Sequence, residues 1–158
     1  SAAYSYSRAE DYVEGGWIPR PHDQRHAAQL HLAFRPARTW TLSTAWQARS
    51  GWPASEQTYE IRTLATGDPV VGNFYGDLYG TRLPSYRRLD LRASRRFDLP
   101  KGRLFLNLDL FNALGRENPQ ALDYDLHWFD PYRRTFSYGS QVDDQIPRLI
   151  TLGLRWEF

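Results

Sequence analysis

The 158-residue chain contains no cysteine and no methionine. Without cysteine it can form neither a disulfide framework nor a thiolate metal site. Because position 1 is serine, we expect the chain to be the later part of a longer protein, whose upstream part would carry any signal peptide. No apolar run approaches the roughly 18 residues of a membrane-spanning helix, so this kind of anchor is not expected.

An excess of charge is also lacking, since the formal net charge is only +2. The basic residues are scattered among acidic ones, and we therefore expect no nucleic-acid partner. Four histidines occur, but none recurs with carboxylates at the spacing of a metal site, so we expect neither a metal nor another cofactor. We find no convincing Ser-His-Asp order, no glycine-rich phosphate loop and no glycosidase-like carboxylate pair. The sequence thus predicts no catalytic residue and no enzyme.

What the sequence does have is alternation of apolar with polar or small residues. At the carboxyl end the apolar positions are Leu152, Leu154, Trp156 and Phe158. Over residues 103–114 they are Leu104, Leu106, Leu108 and Leu110. Successive side chains of a strand point to opposite faces, so each of these strands would have one apolar and one wet face.

Six segments alternate in this way, and each is about ten residues long, the length that a tilted strand needs to cross a bilayer. They lie at about residues 2–9, 25–35, 40–50, 85–98, 103–114 and 147–158. Aromatic residues crowd their ends, as in the interfacial belts of membrane proteins. The pattern predicts an all-β fold, an antiparallel up-and-down transmembrane β-barrel.

The connections between these segments are alternately short and long. Residues 36–39 and 98–102 form short turns, whereas residues 10–25, 51–84 and 116–146 form long loops. In up-and-down order all long loops lie at one end of the sheet, which is typical of outer-membrane barrels. Six strands are too few to enclose a lumen, because small barrels begin near eight strands. We therefore expect the last six strands of a larger barrel, whose remaining strands lie upstream or in another chain.

Several segments resemble TonB-dependent outer-membrane receptors in order and spacing. They are residues 84–97, residues 106–118 with Phe111, Asn112 and Asn118, residues 146–158, and the shorter segments 19–26 and 49–53. The resemblance implies a 22-stranded barrel with an amino-terminal plug, and a receptor that imports a scarce small-molecule ligand such as a siderophore, cobalamin or glycan. Residues 1–158 would then be the carboxy-terminal part of one barrel domain, without the plug.

The same resemblance implies a location and partners. The location would be the bacterial outer membrane, and the partners would be its lipid, the upstream strands and plug, and the TonB energy-transducing complex. Thr151, Gly153, Trp156 and Phe158 match the polar-x-Gly-x-x-aromatic-x-aromatic signal that the barrel assembly machinery recognises in such proteins. An assembling barrel needs an exposed strand edge, and Gly153 would permit close backbone approach. In the alternative interpretation, Trp156 and Phe158 are only interfacial aromatics.

The last long loop contains a group of aromatic residues, namely Tyr124, Trp128, Phe129 and Tyr132. Such rings could form a stacking surface for a glycan or an aromatic chelate. The alternative is a packed extracellular loop without a binding role.

Charged residues also follow the alternation. Asp90, Arg92, Asp109 and Arg155 are expected on the lumenal face, where they would form structural ion pairs. Arg95 is the exception, since its parity places it on the lipid side. A cation costs roughly 2–4 kcal/mol at the bilayer midplane but only about 0–1 kcal/mol near the interface, where Arg95 would lie.

Two further functions remain open from the sequence alone. A soluble all-β glycan-binding module would bury the apolar faces against a second sheet, and a diffusion porin would share the barrel but lack the plug. The membrane interpretation requires that Leu104, Leu106, Leu108 and Leu110 are not covered by protein.

Overall fold

The computed structural model describes residues 1–144 and 146–158. These residues form an all-β structure in which every strand pair is antiparallel, as the alternation predicts. None of the described residues belongs to a helix that could span a membrane.

Fourteen strands occur in the described part of the chain. In chain order they are β1 (Ala2–Tyr6), β2 (Glu10–Val13), β3 (Gly16–Pro19), β4 (His26–Ala37), β5 (Trp40–Arg49), β6 (Pro53–Ala54), β7 (Gln57–Thr63), β8 (Pro69–Tyr75), β9 (Thr81–Arg82), β10 (Tyr86–Leu99), β11 (Gly102–Phe111), β12 (Pro119–Asp130), β13 (Thr135–Asp144) and β14 (Leu149–Glu157). Six of them form the main sheet, in the order β1-β4-β5-β10-β11-β14. Within the described residues this sheet is open, with β1 and β14 at its edges.

Two strands of the main sheet end earlier than the sequence indicates. β1 stops at Tyr6 rather than near residue 9, and β11 stops at Phe111 rather than at residue 114. At the end of β11, Asn112 adopts a left-handed backbone conformation with φ of 48°. A strand cannot continue through that conformation, so the alternation of residue types outlasts the strand itself.

The long connections are not unstructured loops, contrary to the sequence prediction. Each contains a hairpin of its own, formed by β2 with β3, by β7 with β8, and by β12 with β13, while β6 pairs with β9 inside the second connection. Apolar residues do alternate in parts of these strands, with Tyr59 and Ile61 in β7 and with Tyr124, Leu126 and Trp128 in β12. The alternation is short in β7 and is interrupted in β12 by a register shift between Leu126 and Trp128, and the sequence prediction missed both strands.

The strand register gathers the apolar positions of the main sheet on one side. Two rows across the sheet are Phe34–Leu42–Ala93–Leu108–Leu152 and Leu32–Thr44–Leu91–Leu110–Ile150. We call this side the apolar face; it also carries Ala28, Leu30, Trp40, Trp46, Ala48, Leu89, Leu104, Leu106, Leu154 and Trp156. Any slip by one residue would move polar side chains onto it, so the pattern specifies the register strongly.

No protein layer covers the apolar face in the described part of the chain. Leu83 and Tyr86 are the buried hydrophobic residues there, and neither belongs to this face. Leu108 is 47% exposed and Leu154 is 69% exposed, while Leu106 is only half-buried. The accessible surface is 11439 Å², whereas a compact monomer of 18.5 kDa would have about 8,200 Å². The sheet therefore lacks the second layer that an ordinary soluble domain places over such a face.

A buried carboxylate joins the first and second long connections at one end of the sheet. Asp23 is 1% exposed and accepts hydrogen bonds from the amide of Ala9 at 2.8 Å and from the guanidinium groups of Arg82 and Arg25. Arg82 also donates to the carbonyls of Asp23 and Gly51. Burial alone would raise the pKa of Asp23, but the hydrogen bonds from Ala9 and Arg82 outweigh it and hold that pKa below its ordinary value.

Two buried asparagines organise the base of the third long connection. The backbone N–H of Asn112 donates to the carboxylate of Asp90 at 2.9 Å. The side-chain amide of Asn112 donates to the backbone carbonyls of Arg116 and Ile146, each at 2.9 Å. Asn118 accepts the amide of Arg87 at 2.8 Å and donates to the carbonyl of Arg116. Backbone N–H and C=O groups at the end of the sheet thus have side-chain hydrogen-bond partners, as buried polar groups require.

We predict that Asp23→Asn loosens the first and second connections while the main sheet persists. The substitution removes the charge that holds Arg82, and breaking a charged hydrogen bond of this kind costs about 1–3 kcal/mol. Amide hydrogen exchange at Ala9 and Leu83 should accelerate. The matched control is Asp11→Asn, which removes an exposed ion pair with Arg20 and should change little.

This contribution of Asp23 should also depend on pH. Because its folded pKa is lowered, its stabilising effect is complete above the unfolded carboxyl pKa of about 3.9 and is lost as the pH falls through the lower folded value. Equal exchange rates in Asp23→Asn and Asp11→Asn, or no acid-dependent loss in the unsubstituted protein, would contradict this role.

Candidate functional site

The polar face of the main sheet, opposite the apolar face, carries a network of ion pairs. Arg92 on β10 lies directly opposite Asp109 on β11, and its guanidinium contacts both carboxylate oxygens. Asp90 pairs with Arg88 at 2.7 Å, and Arg155 pairs with Glu157 at 3.1 Å. A neighbouring hydrogen bond joins Ser94 to Asn107 at 2.7 Å. All the residues predicted to be lumenal therefore share one face of the described sheet, and they form structural pairs there.

This polar face contains an open depression of about 540 Å³. Its lining includes His31, Ser43, Asp90, Arg92 and Asp109. Charges of both signs meet there and are already paired, so the depression suits water or a complementary polar surface. In the described part of the chain, no three histidine or acidic side chains are grouped so as to hold a metal ion.

The apolar face has an open depression of similar size, about 550 Å³. It is lined mainly by aliphatic and aromatic side chains, namely Leu32, Phe34, Leu42, Leu91, Leu108 and Leu110. The two sides of one sheet thus offer opposite environments within a single layer of backbone. Exposed apolar surfaces of this extent mark sites that contact lipid, another protein or a ligand.

The four aromatic residues predicted to form a ligand surface do not come together. Tyr124 and Phe129 share one face of the β12–β13 hairpin, whereas Trp128 lies on the other. The cause is an irregularity in pairing between Leu126 and Trp128, which gives β12 one extra residue. Tyr132 lies in the turn and is 97% exposed. A single stacking surface made of all four rings is therefore not what the hairpin presents.

A different aromatic cluster joins two of the hairpins. The ring of Tyr59 on β7 lies 5.3 Å from that of Tyr138 on β13, which in turn stacks with Phe136 at 5.8 Å. The hydroxyl of Tyr59 donates to the carbonyl of Tyr124 at 2.7 Å. The β7–β8 and β12–β13 hairpins are thereby linked at the loop end of the sheet. In the sequence, Phe136 and Tyr138 alternate with small residues, which is a local signal of a strand. Tyr59 lies too far away in the chain for the sequence to identify it as their partner.

The residues of the predicted assembly signal lie on and beyond the edge strand β14. Thr151 and Gly153 face the polar side, opposite Asp109 and Asn107, while Trp156 lies on the apolar face opposite Leu104. Phe158 follows the last strand residue and is fully exposed. In the described residues β14 pairs with β11 alone. Its other edge is free to receive a strand, which is the geometry that strand addition requires.

Glycine at 153 is not needed for space within the chain. A Cβ there would meet Asn107 at 3.8 Å, an ordinary contact. The close approach occurs instead at Gly102, where a Cβ would lie 2.2 Å from the carbonyl oxygen of Glu157 and where φ is 132°. The predicted role of Gly153 concerns approach by an external strand at the free edge, and it stays a prediction.

We predict that Gly102→Ala destabilises the packing of β14 against the turn, whereas Gly153→Ala does not. The first substitution creates a backbone overlap and an unfavourable φ, with a cost of about 1–3 kcal/mol; the second should stay within about 1 kcal/mol. Urea titration of the protein in lipid measures both. If Gly153→Ala keeps the stability but slows insertion into the membrane, glycine at this position acts in assembly; equal stability losses would contradict the structural distinction.

No protein-family model, curated protein or solved structure matches the chain. The geometry of the two faces, the loop end and the free strand edge therefore provides the basis for assigning a function.

Proposed function

We propose that the chain is the carboxy-terminal part of a TonB-dependent receptor of the bacterial outer membrane and contributes the last six strands of a 22-stranded barrel. It is a transport protein and not an enzyme. The observation that carries the proposal is the apolar face of the main sheet, which is continuous across strands and has no protein layer over it in the described residues.

The height of the apolar face suits a membrane. On β10 the charged residues of this face are Arg87 and Arg95, and the apolar Leu89, Leu91 and Ala93 lie between them. Eight residues at about 3.4 Å each span roughly 27 Å along the strand, or about 20 Å along the membrane normal at a tilt near 40°. The hydrocarbon band of outer-membrane barrels is about 25 Å tall. The two backbone positions would then lie about 2–3 Å inside the boundaries of the band, and their long side chains would reach the headgroups.

The open edges of the sheet support a larger barrel. Within the described residues β1 and β14 each have a neighbour on one side only. Unpaired backbone groups at a sheet edge are not satisfied in lipid, where only closed barrels leave no edge. Further strands that join β1 to β14 would close the wall. The free edge of β14 would also be the edge presented to the barrel assembly machinery.

The two ends and the inner face have distinct roles in this arrangement. The hairpin-rich connections lie at one end and would form the extracellular vestibule, while the short turns would lie in the periplasm. The paired charges of the polar face would line the lumen and contact a plug. A small-molecule ligand would be taken up by the complete receptor with energy from the TonB complex. This part, without a plug, is not expected to transport by itself.

The soluble glycan-binding module receives no comparable support. Such a module would place a second sheet over Leu104, Leu106, Leu108 and Leu110, and no part of the described chain covers them. A diffusion porin would have the same barrel wall, but its transport would need no protonmotive force. Uptake of the small-molecule ligand, measured with and without a protonophore in cells that express the protein from its own gene, distinguishes these two transport classes. Uptake that persists without protonmotive force would overturn the receptor.

We predict a parity effect of arginine substitutions in β11 and β14. Leu108→Arg and Leu152→Arg put a cation on the lipid side near the centre of the apolar face, where it costs about 2–4 kcal/mol. Asn107→Arg and Thr151→Arg put the same cation on the polar face and should be milder. The amount of folded protein in isolated outer membranes measures the effect. Equal losses at both parities would remove the lipid-facing assignment.

A further inference from the structure

Arg95 is a cation on the apolar face, held by two aromatic rings. Its backbone pairs with Trp40 on β5 and with Leu106 on β11. Its guanidinium carbon lies 5.2 Å from the ring centre of Trp40 and 4.6 Å from that of Phe97. Contacts of this kind fix the position of a guanidinium group while leaving its N–H donors available.

The charge of Arg95 has no counterpart in the described part of the chain. No carboxylate there lies within salt-bridge distance of it, and its side chain makes no hydrogen bond to those residues. The acidic side chains at the same end of the sheet are Asp98, which pairs with Arg96 and Arg103, and Glu157, which pairs with Arg155. An exposed cation with up to five donors is thus left for an external anion.

The surroundings of Arg95 are those of an amphiphile with an anionic head. Toward the turn, the neighbouring row of the face is Phe97–Leu104–Trp156, which is rich in aromatic rings. Toward the centre of the sheet, the next row contains Leu42, Leu108 and Leu152. A headgroup at Arg95 would therefore lie at the aromatic level, with an apolar surface beside it for an acyl chain.

We propose that Arg95 and Trp40 form a binding site for the phosphate of a phospholipid headgroup, in the leaflet at the turn end of the sheet, with an acyl chain that extends toward Leu42 and Leu108 in the next row. The guanidinium fork matches two phosphate oxygens, and its ring contacts reduce the freedom that binding would remove. The site rests on the proposed function, because it requires the apolar face to lie in a membrane.

The test measures lipid retained by the protein, expressed from its own gene and purified from membranes, by native mass spectrometry. The added probes are phosphatidylglycerol and diglucosyl diacylglycerol, which has no phosphate. We expect Arg95→Gln to bind phosphatidylglycerol about tenfold more weakly, since a hydrogen bond to a charged group is lost, and to bind the glycolipid unchanged. Arg103→Gln is the matched control, at the same end of the sheet on the polar face, and should behave like the unsubstituted protein.

A lysine variant and competition with inorganic phosphate test the site further. Arg95→Lys retains the charge but not the fork, so its affinity for phosphatidylglycerol should lie between those of Arg95 and Arg95→Gln. Millimolar inorganic phosphate should not displace the lipid, because it has no acyl chain, and displacement would overturn the phospholipid as the occupant. Unchanged binding in an Arg95→Gln protein that reaches the membrane would overturn the site alone. Absence of the unsubstituted protein from the outer membrane would overturn the proposed function as well.

Discussion

The structure depends on one constraint, which is that the register of five strand pairs keeps every apolar row on the same face. β10 occupies a central place in it, because it pairs with β5 over Tyr86–Arg95 and with β11 over Leu91–Leu99. A slip in either pair would expose Arg92 or Asp90 on the apolar side and place leucines among the charges of the polar side. The ion pair of Arg92 with Asp109 forms only in the observed register. The polar face therefore reinforces the alignment that the apolar face requires.

The location of the buried residues follows from this single-layer design. A soluble domain buries hydrophobic side chains at its centre, but here the fully buried side chains of the described chain are the polar Asp23, Asn112 and Asn118. All three lie where connections leave the loop end of the sheet, and each satisfies backbone amides or carbonyls. Order at the loop end thus comes from hydrogen bonds and charge, while apolar burial is left to whatever covers the sheet.

The sequence predicts the main sheet because period-two alternation is a local signal. Leu104, Leu106, Leu108 and Leu110 identify both the strand and its apolar side without any partner. The hairpins within the long connections were missed because their alternation is shorter or is interrupted by irregular pairing, as between Leu126 and Trp128. The buried clusters were missed for another reason, as Asp23 and Arg82 are 59 residues apart and neither has a distinctive neighbour. Gly102 looks like turn punctuation in the sequence, and only the fold reveals the strand end packed against it.

The edge strand β14 shows how local contacts can set a long-range register. At its loop end, Asn112 holds the carbonyl of Ile146 at 2.9 Å, three residues before the strand begins, and Arg148 donates to the carbonyl of Ala113 at 3.1 Å. At its turn end, Gly102 lies against Glu157. Both ends of β14 are thus positioned by residues at the ends of β11 or just beyond them, and the nine paired positions between Phe111–Leu149 and Arg103–Glu157 follow without a bulge. Since β14 has one neighbour in the described sheet, these contacts compensate for the second neighbour that a central strand would have. A strand so fixed on one side can present its free edge in a defined register to whatever pairs with it.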